Sequence, residues 1–163
     1  MKNNLKKLCL SAVMLALVFV VTRFIQIPIP LGYFNVGNSV ILLFCLILDD
    51  GYGIAASALG SALADLVSYP VYTVPTLIIK ALMPWLFIVL NKKFRDKKPA
   101  AIISMAISTL IPLFGYTLTG GIIYKNIVAG FAQFPGLFLE YVANLIIFAA
   151  LFAPVSKINK LNK

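Results

Sequence analysis

The sequence predicts an all-α integral membrane protein of six transmembrane helices, with the N and C termini cytoplasmic. Three observations carry that expectation. Of the 163 residues, 61% are hydrophobic and 12% charged, and the mean hydropathy is +0.99, a balance that suits a bilayer rather than water. The chain is long enough for about five or six spans at ~20 residues each. Eleven of the 14 basic residues fall in three clusters that border apolar runs: Lys2, Lys6 and Lys7; Lys92, Lys93, Arg95, Lys97 and Lys98; Lys157, Lys160 and Lys163. Cytoplasmic segments of membrane proteins carry this excess of Lys and Arg.

Helical segments read at about 5–24, 36–48, 52–67, 74–91, 100–119 and 134–155. An even number of them separates the basic clusters, so all three clusters land on one side. The basic start before Leu8–Val21 resembles a signal peptide. However, the run continues into Thr22-Arg23-Phe24 without a small-x-small cleavage site, so an uncleaved first span is expected. Residues 1–163 read as one domain, without internal repeats or low-complexity stretches.

The second and third segments are short for a bilayer and need tilt, local thinning or protein cover. Between them lies Asp49-Asp50-Gly51-Tyr52-Gly53, whose carboxylates suit the N-terminus of the third helix. Ala56, Gly60 and Ala64 recur every four residues, a seam that lets helices approach closely. The first segment carries Ala12 and Ala16 at the same spacing, within "AVMLA". Pro84 and Pro112 are expected to kink segments four and five.

Composition excludes several functions. The net charge of +9 is placed for a membrane and not for nucleic acid. No histidine is present, which removes the commonest metal ligand and general base. Cys9 and Cys45 lie far apart in apolar runs and read as buried small hydrophobes, not a metal site. Neither a G-x-x-x-x-G-K-[ST] motif nor a nucleophile motif occurs, so the chain reads as a non-enzyme without cofactor or metal. Uphill transport would draw its energy from a partner or an ion.

Polar residues are stratified by depth. Lys80 lies six residues into the fourth segment from its outer end, or ~9 Å. Asp65, Arg23 and Tyr116 lie near outer ends. Glu140 is about six residues into the last segment, with Asn144 one turn deeper on the same face. The inner halves of the spans are almost free of such groups. A charge at membrane depth costs roughly 2.5–3.5 kcal/mol on insertion scales, so it normally faces protein or water and marks a site. The blander reading, paired or snorkelling residues, is favoured for Arg23. The outer loops agree: "IQIPIPLGYFNVGN" (25–38) holds Asn35 and Asn38 but no charge, and "SYPVYTVPT" (68–76) adds Tyr69 and Tyr72. Prolines restrain such loops, tyrosines offer flat stacking surface and amides supply donors and acceptors, an inventory for a small, flat, polar heterocycle. An interfacial aromatic belt is the alternative for the two tyrosines.

With its size, six spans and inside termini, the chain resembles the substrate-binding S component of an energy-coupling factor (ECF) vitamin transporter. "GYFNVGNSVILL" and "GSALADLVSYPVYTVPTLIIKALM" resemble the branch of riboflavin-type and pyridoxine- or hydroxymethylpyrimidine-type S components, with Asn38 where Asp is expected. The resemblance implies a vitamin captured at the outer face by Asn35, Asn38, Tyr69, Tyr72, Lys80, Tyr116, Glu140 and Asn144. Lys80 would donate to an anionic or carbonyl oxygen, Glu140 and Asn144 would read ring nitrogens or hydroxyls, and the tyrosines would stack. It also implies that Ala12 and Ala16 contact a transmembrane coupling subunit. That subunit and two cytoplasmic ATPases would tilt the S component in a bacterial plasma membrane to release substrate inward. The rival expectations are a stand-alone secondary transporter or channel, which needs a continuous polar path, and a structural envelope-assembly protein, which needs no polar pocket.

Overall fold

The computed structural model describes residues 2–29, 32–94 and 100–161. Seven helices and one β-hairpin follow each other in the order α1 (Lys2–Phe24), β1 (Gln26–Ile29), β2 (Gly32–Asn35), α2 (Gly37–Cys45), α3 (Gly51–Ser68), a 3₁₀ turn (Pro70–Tyr72), α4 (Thr73–Lys93), α5 (Ala100–Ser108), α6 (Leu110–Ile123) and α7 (Ile127–Leu161). Arg95, Lys97, Lys98 and Lys163 of the basic clusters lie outside the described residues. Four helical stretches are long and apolar enough to cross a membrane: Asn4–Phe24, Pro70–Lys93, Ala100–Ile123 and Ile127–Ser156. At nine residues, α2 reaches only about 14 Å at 1.5 Å per residue. Seven of its residues are buried, so protein rather than lipid covers its backbone ends.

The chain is mostly helical, as expected of an all-α membrane protein, and one short hairpin is added to the helices. Antiparallel pairing sets Gln26 opposite Asn35 and Pro28 opposite Tyr33. Ile25, Ile27 and Ile29 alternate with Gln26 and Pro28, the period-two pattern of a strand. Pro28 is tolerated because each strand of a two-stranded ribbon is an edge.

Prolines mark two adjustments in the helices. Pro84 has no N–H to offer the carbonyl four residues back. That carbonyl, on Lys80, instead accepts the Ser57 hydroxyl of α3 at 2.7 Å, and α4 runs on as one helix. In the fifth segment, Pro112 denies a partner to Ser108, and the segment divides there into α5 and α6 at Thr109, whose hydroxyl donates back to the Met105 carbonyl at 2.7 Å. The last helix starts seven residues before its expected boundary at 134. Gln133 and Pro135 therefore lie inside it.

The small-residue seam of α3 packs on α1. A Cβ at Gly60 would stand 2.7 Å from the Leu15 carbonyl oxygen and 3.2 Å from Val18, and both belong to α1. Gly60→Ala should therefore cost about 1–3 kcal/mol through forced separation of the two helices, read as a lowered thermal midpoint in detergent.

Side chains are layered along α2, α3, α4 and α7. A core of Met14, Val18, Ile41, Leu42, Met83, Phe87, Met105 and Phe148 is fully buried. Four helices place buried polar residues on the hairpin side of that layer: Asn38 of α2 before Ile41, Asp65 of α3 beyond Ala56, Lys80 of α4 before Met83 and Glu140 of α7 before Phe148. At the other end, Asp50 caps α3 by accepting the Tyr52 N–H at 3.1 Å and takes the Lys7 ammonium at 2.6 Å. Asp49 does not cap; it lies 3.4 Å from Lys92. Burial pushes the Asp50 carboxyl up, but the Lys7 hydrogen bond and charge outweigh it and hold the group below its ordinary 3.8. A folded pKa below the unfolded one contributes stability present above the unfolded value and lost as pH falls through the folded one. Asp50→Ala should cost about 1 kcal/mol, the size of an N-cap, at pH 7. In thermal melts of the two proteins the gap should shrink below pH 4.

Candidate functional site

The hairpin end of the bundle opens into a cleft of about 400 Å³ counted out to bulk solvent. Tyr33 and Asn35 of β2 form one wall, Asp65 and Tyr69 the next, Tyr72 and Tyr116 a third, and Gln133, Leu137 and Glu140 of α7 the fourth. The spacing of Gln133, Leu137 and Glu140 puts them on one helical face.

Asp65, on the last turns of α3, is 3% exposed. Its two oxygens accept the hydroxyls of Tyr33 and Thr76, and the Thr76 hydroxyl also meets that of Tyr116 at 3.0 Å. Burial first, and then the Asp65 charge, push the Tyr33 phenol well above its ordinary value, so it remains a donor at physiological pH. The Tyr33 ring leans on Tyr69 at 5.3 Å between centroids, and Gln26 donates to the Ser68 hydroxyl at 3.2 Å. These contacts tie the hairpin to the α3–α4 connection.

Opposite, Glu140 accepts Nδ2 of Asn38 at 2.9 Å, and the Lys80 ammonium donates to Oδ1 of the same amide. Asn38 is thus a neutral bridge between a buried cation and a buried carboxylate. The ammonium also lies 5.7 Å from the centre of the Tyr116 ring, a favourable cation–π distance. Gln133 donates to the Tyr72 hydroxyl at 3.0 Å. It lies against Gly120, where an added Cβ would stand 2.1 Å from its Nε2, so α6 needs glycine there to admit the amide.

Asn144 is fully buried. Its Oδ1 accepts the Ser39 N–H at 2.8 Å and the Ser39 hydroxyl at 2.7 Å. Its Nδ2 donates to the carbonyls of Asn35 at 2.9 Å and Glu140 at 2.8 Å. All four hydrogen-bonding positions of the amide are therefore taken by protein.

Of the eight residues expected to bind substrate, Asn35, Tyr69, Tyr72, Tyr116 and Glu140 line the cleft. Three do not. Asn38 and Lys80 stand behind Glu140, and Asn144 is spent on stapling α7 to the start of α2. Asp65 and Lys80, which a hairpin of 15 residues would permit to pair, have separate partners. Sequence reasoning missed Tyr33, Gln133 and Leu137 and ranked Asp65 as a helix end. The signal for Tyr33 was the strand alternation leading into it. For Gln133 it was a lone amide in an otherwise apolar run. Ala12 and Ala16 are exposed on α1, beside Val13 and Leu17 at 52% and 42% exposure, away from the packed face at Met14 and Val18.

The family model described as "ECF-type riboflavin transporter, S component" matches residues 2–157. The chain belongs to this family. A solved structure described as the S component of a bacterial ECF transporter shares the fold, with a TM-score of 0.74 at 19% identity over 97% of this S component and 98% of that chain. An uncharacterized protein of Pyrococcus woesei is 42% identical over 65 residues, which make up 39% of this chain and 44% of that protein. The match thus spans less than half the length of that relative.

Proposed function

We propose that this S component captures a small water-soluble vitamin or vitamin precursor at the extracellular face and hands it inward. It does so as the substrate-binding subunit of an ATP-driven transporter, seated on a transmembrane coupling subunit served by two cytoplasmic ATPases. Residues 1–163 act as one substrate-binding domain in the plasma membrane of a bacterial cell. The chain crosses six times, α2 and α3 being the short crossings, with both termini inside. In this orientation Lys7, Asp50 and Lys92 face the cytoplasm, as the distribution of Lys and Arg favours, and the hairpin faces out.

The observation that carries the reading is the cleft, in which aromatic rings, amides and carboxylates converge at one end of an otherwise apolar bundle. Riboflavin is the first candidate, since the family is named for it. Tyr69, Tyr72 and Tyr116 supply ring contacts, Asn35 an amide, and Glu140 an acceptor for N–H or hydroxyl groups. Lys80 and Asn38 hold Glu140, and Asn144 holds the frame. The apolar layer below the cleft disfavours a stand-alone channel.

Riboflavin fluorescence tests this directly. Purified protein in detergent should quench it saturably with a dissociation constant below about 1 μM. Absence of saturable binding for riboflavin, pyridoxine and hydroxymethylpyrimidine alike would sink the reading. Leucine at both Ala12 and Ala16 should abolish co-purification with the coupling and ATPase subunits while riboflavin quenching persists. Loss of both would mean that the α1 face is structural.

A further inference from the structure

We propose that one anionic phospholipid binds at the end of the bundle opposite the hairpin. Its acyl chain lies in an apolar groove between α2 and α7, and its phosphate sits at the lysine-bearing end of α7. The inference is independent of what the cleft binds. Asn144 staples α7 to the start of α2 through the N–H and hydroxyl of Ser39. Beyond that staple the two helices part around a groove of about 480 Å³, counted out to its open side. Val40, Leu43, Phe44 and Ile47 form one wall and Val155 the other.

Chemistry identifies the occupant. Every lining side chain is aliphatic or aromatic, so water would find no hydrogen-bond partner among them. At nine residues, α2 covers about 14 Å, roughly half of a hydrocarbon core ~30 Å thick. So short a span leaves depth beside it that the bilayer must fill or thin. The head group follows from charge. The walls end at Ile47 and Val155, and two residues further on stand Asp49 and Lys157. Asp49 is matched by Lys92 at 3.4 Å, and Asp50 by Lys7 at 2.6 Å. Lys157 and Lys160 lie in the last turns of α7, a helix with no acidic residue after Glu140. The rim therefore carries net positive charge, and basic pockets between membrane helices suit phosphate head groups.

The test is native mass spectrometry of the full chain in detergent, with phosphatidylglycerol or phosphatidylcholine of identical acyl chains added. One phosphatidylglycerol should be retained about tenfold more strongly than phosphatidylcholine. Val155→Trp, which fills the groove, should cut that retention about tenfold. Val40→Phe serves instead if that variant fails to fold. Lys157→Gln combined with Lys160→Gln should bring phosphatidylglycerol down to the phosphatidylcholine level. Equal retention of the two lipids overturns the proposal, as does retention of neither, which would leave the groove to a protein partner. A phosphatidylglycerol preference that survives the groove variant puts the lipid elsewhere and overturns it too. So does one that survives loss of both lysines.

Discussion

Asn144→Ala should be among the most damaging single substitutions in this protein, lowering stability by roughly 3–5 kcal/mol. The change removes four hydrogen bonds at once. It leaves the Ser39 N–H and the Asn35 carbonyl without the amide, takes one of two acceptors from the Ser39 hydroxyl, and removes the side-chain donor from the Glu140 carbonyl inside α7. Ser39 keeps one further bond, from its hydroxyl to the Asn144 carbonyl at 2.8 Å, which alanine preserves. Asn144→Asp should be no better, although it conserves shape. A carboxylate turns the two donor positions into acceptors facing carbonyl oxygens. Thermal unfolding in detergent would show both variants well below the parent. Ligand affinity should fall as well, because Asn35 and Glu140 are both wall residues held by the lost bonds. A variant that melted normally would show that α2 and α7 are held by the apolar layer alone.

Lys80→Met should cost a comparable amount, about 3–5 kcal/mol, the usual penalty for removing one member of a buried charge network. Methionine fills the space of the stem but leaves Asn38 Oδ1 without its donor and Glu140 without a nearby cation. The sharper expectation concerns the pair. Glu140→Gln removes the charge that Lys80 compensates, so Lys80→Met with Glu140→Gln should be less destabilised than the sum of the singles by at least ~1 kcal/mol. Additivity within about 0.5 kcal/mol would show that the relay through Asn38 carries no energy. Ligand affinity should drop in Lys80→Met as well, by displacement of Glu140 and not by loss of a direct contact. Arginine at position 80 should not rescue, since the site admits one donor to one amide oxygen at full burial.

The sequence made the polar layer legible because charges in an apolar chain are rare, and rarity is itself a signal. Lys80, Glu140 and Asn144 were found this way, and all three belong to one connected network. Their division of labour was not legible. Whether an amide faces a cleft or a neighbouring backbone depends on the rotation of α7 against α2, to which a one-dimensional pattern is blind. Asn144 shows this most clearly, since it shares a face with Glu140 yet has no capacity left for a ligand. Gln133 was lost for a different reason. Starting the last helix at 134 made it a loop residue, whereas the helix begins at Ile127 and carries Pro135 inside it, as membrane helices allow when their neighbours compensate. Tyr33 was lost because two prolines suggested an irregular loop where alternation makes a hairpin. The acidic turn at Asp49-Asp50 was half legible: capping by Asp50 follows from its position, whereas the pairing of Asp49 with Lys92 needs the third dimension.

The apolar layer has an electrical consequence. Opening a water-filled passage past Met14, Val18, Ile41, Leu42, Met83, Phe87, Met105 and Phe148 would hydrate eight large side chains, at roughly 1.5–3 kcal/mol each. That sum, about 12–24 kcal/mol, equals or exceeds the whole folding stability of most domains. The protein is therefore an insulator, and a bilayer holding it alone should carry no measurable current under voltage. On the proposed function, a ligand seated in the cleft would change compartments only if its container turned, with the seal intact and the binding groups still around it.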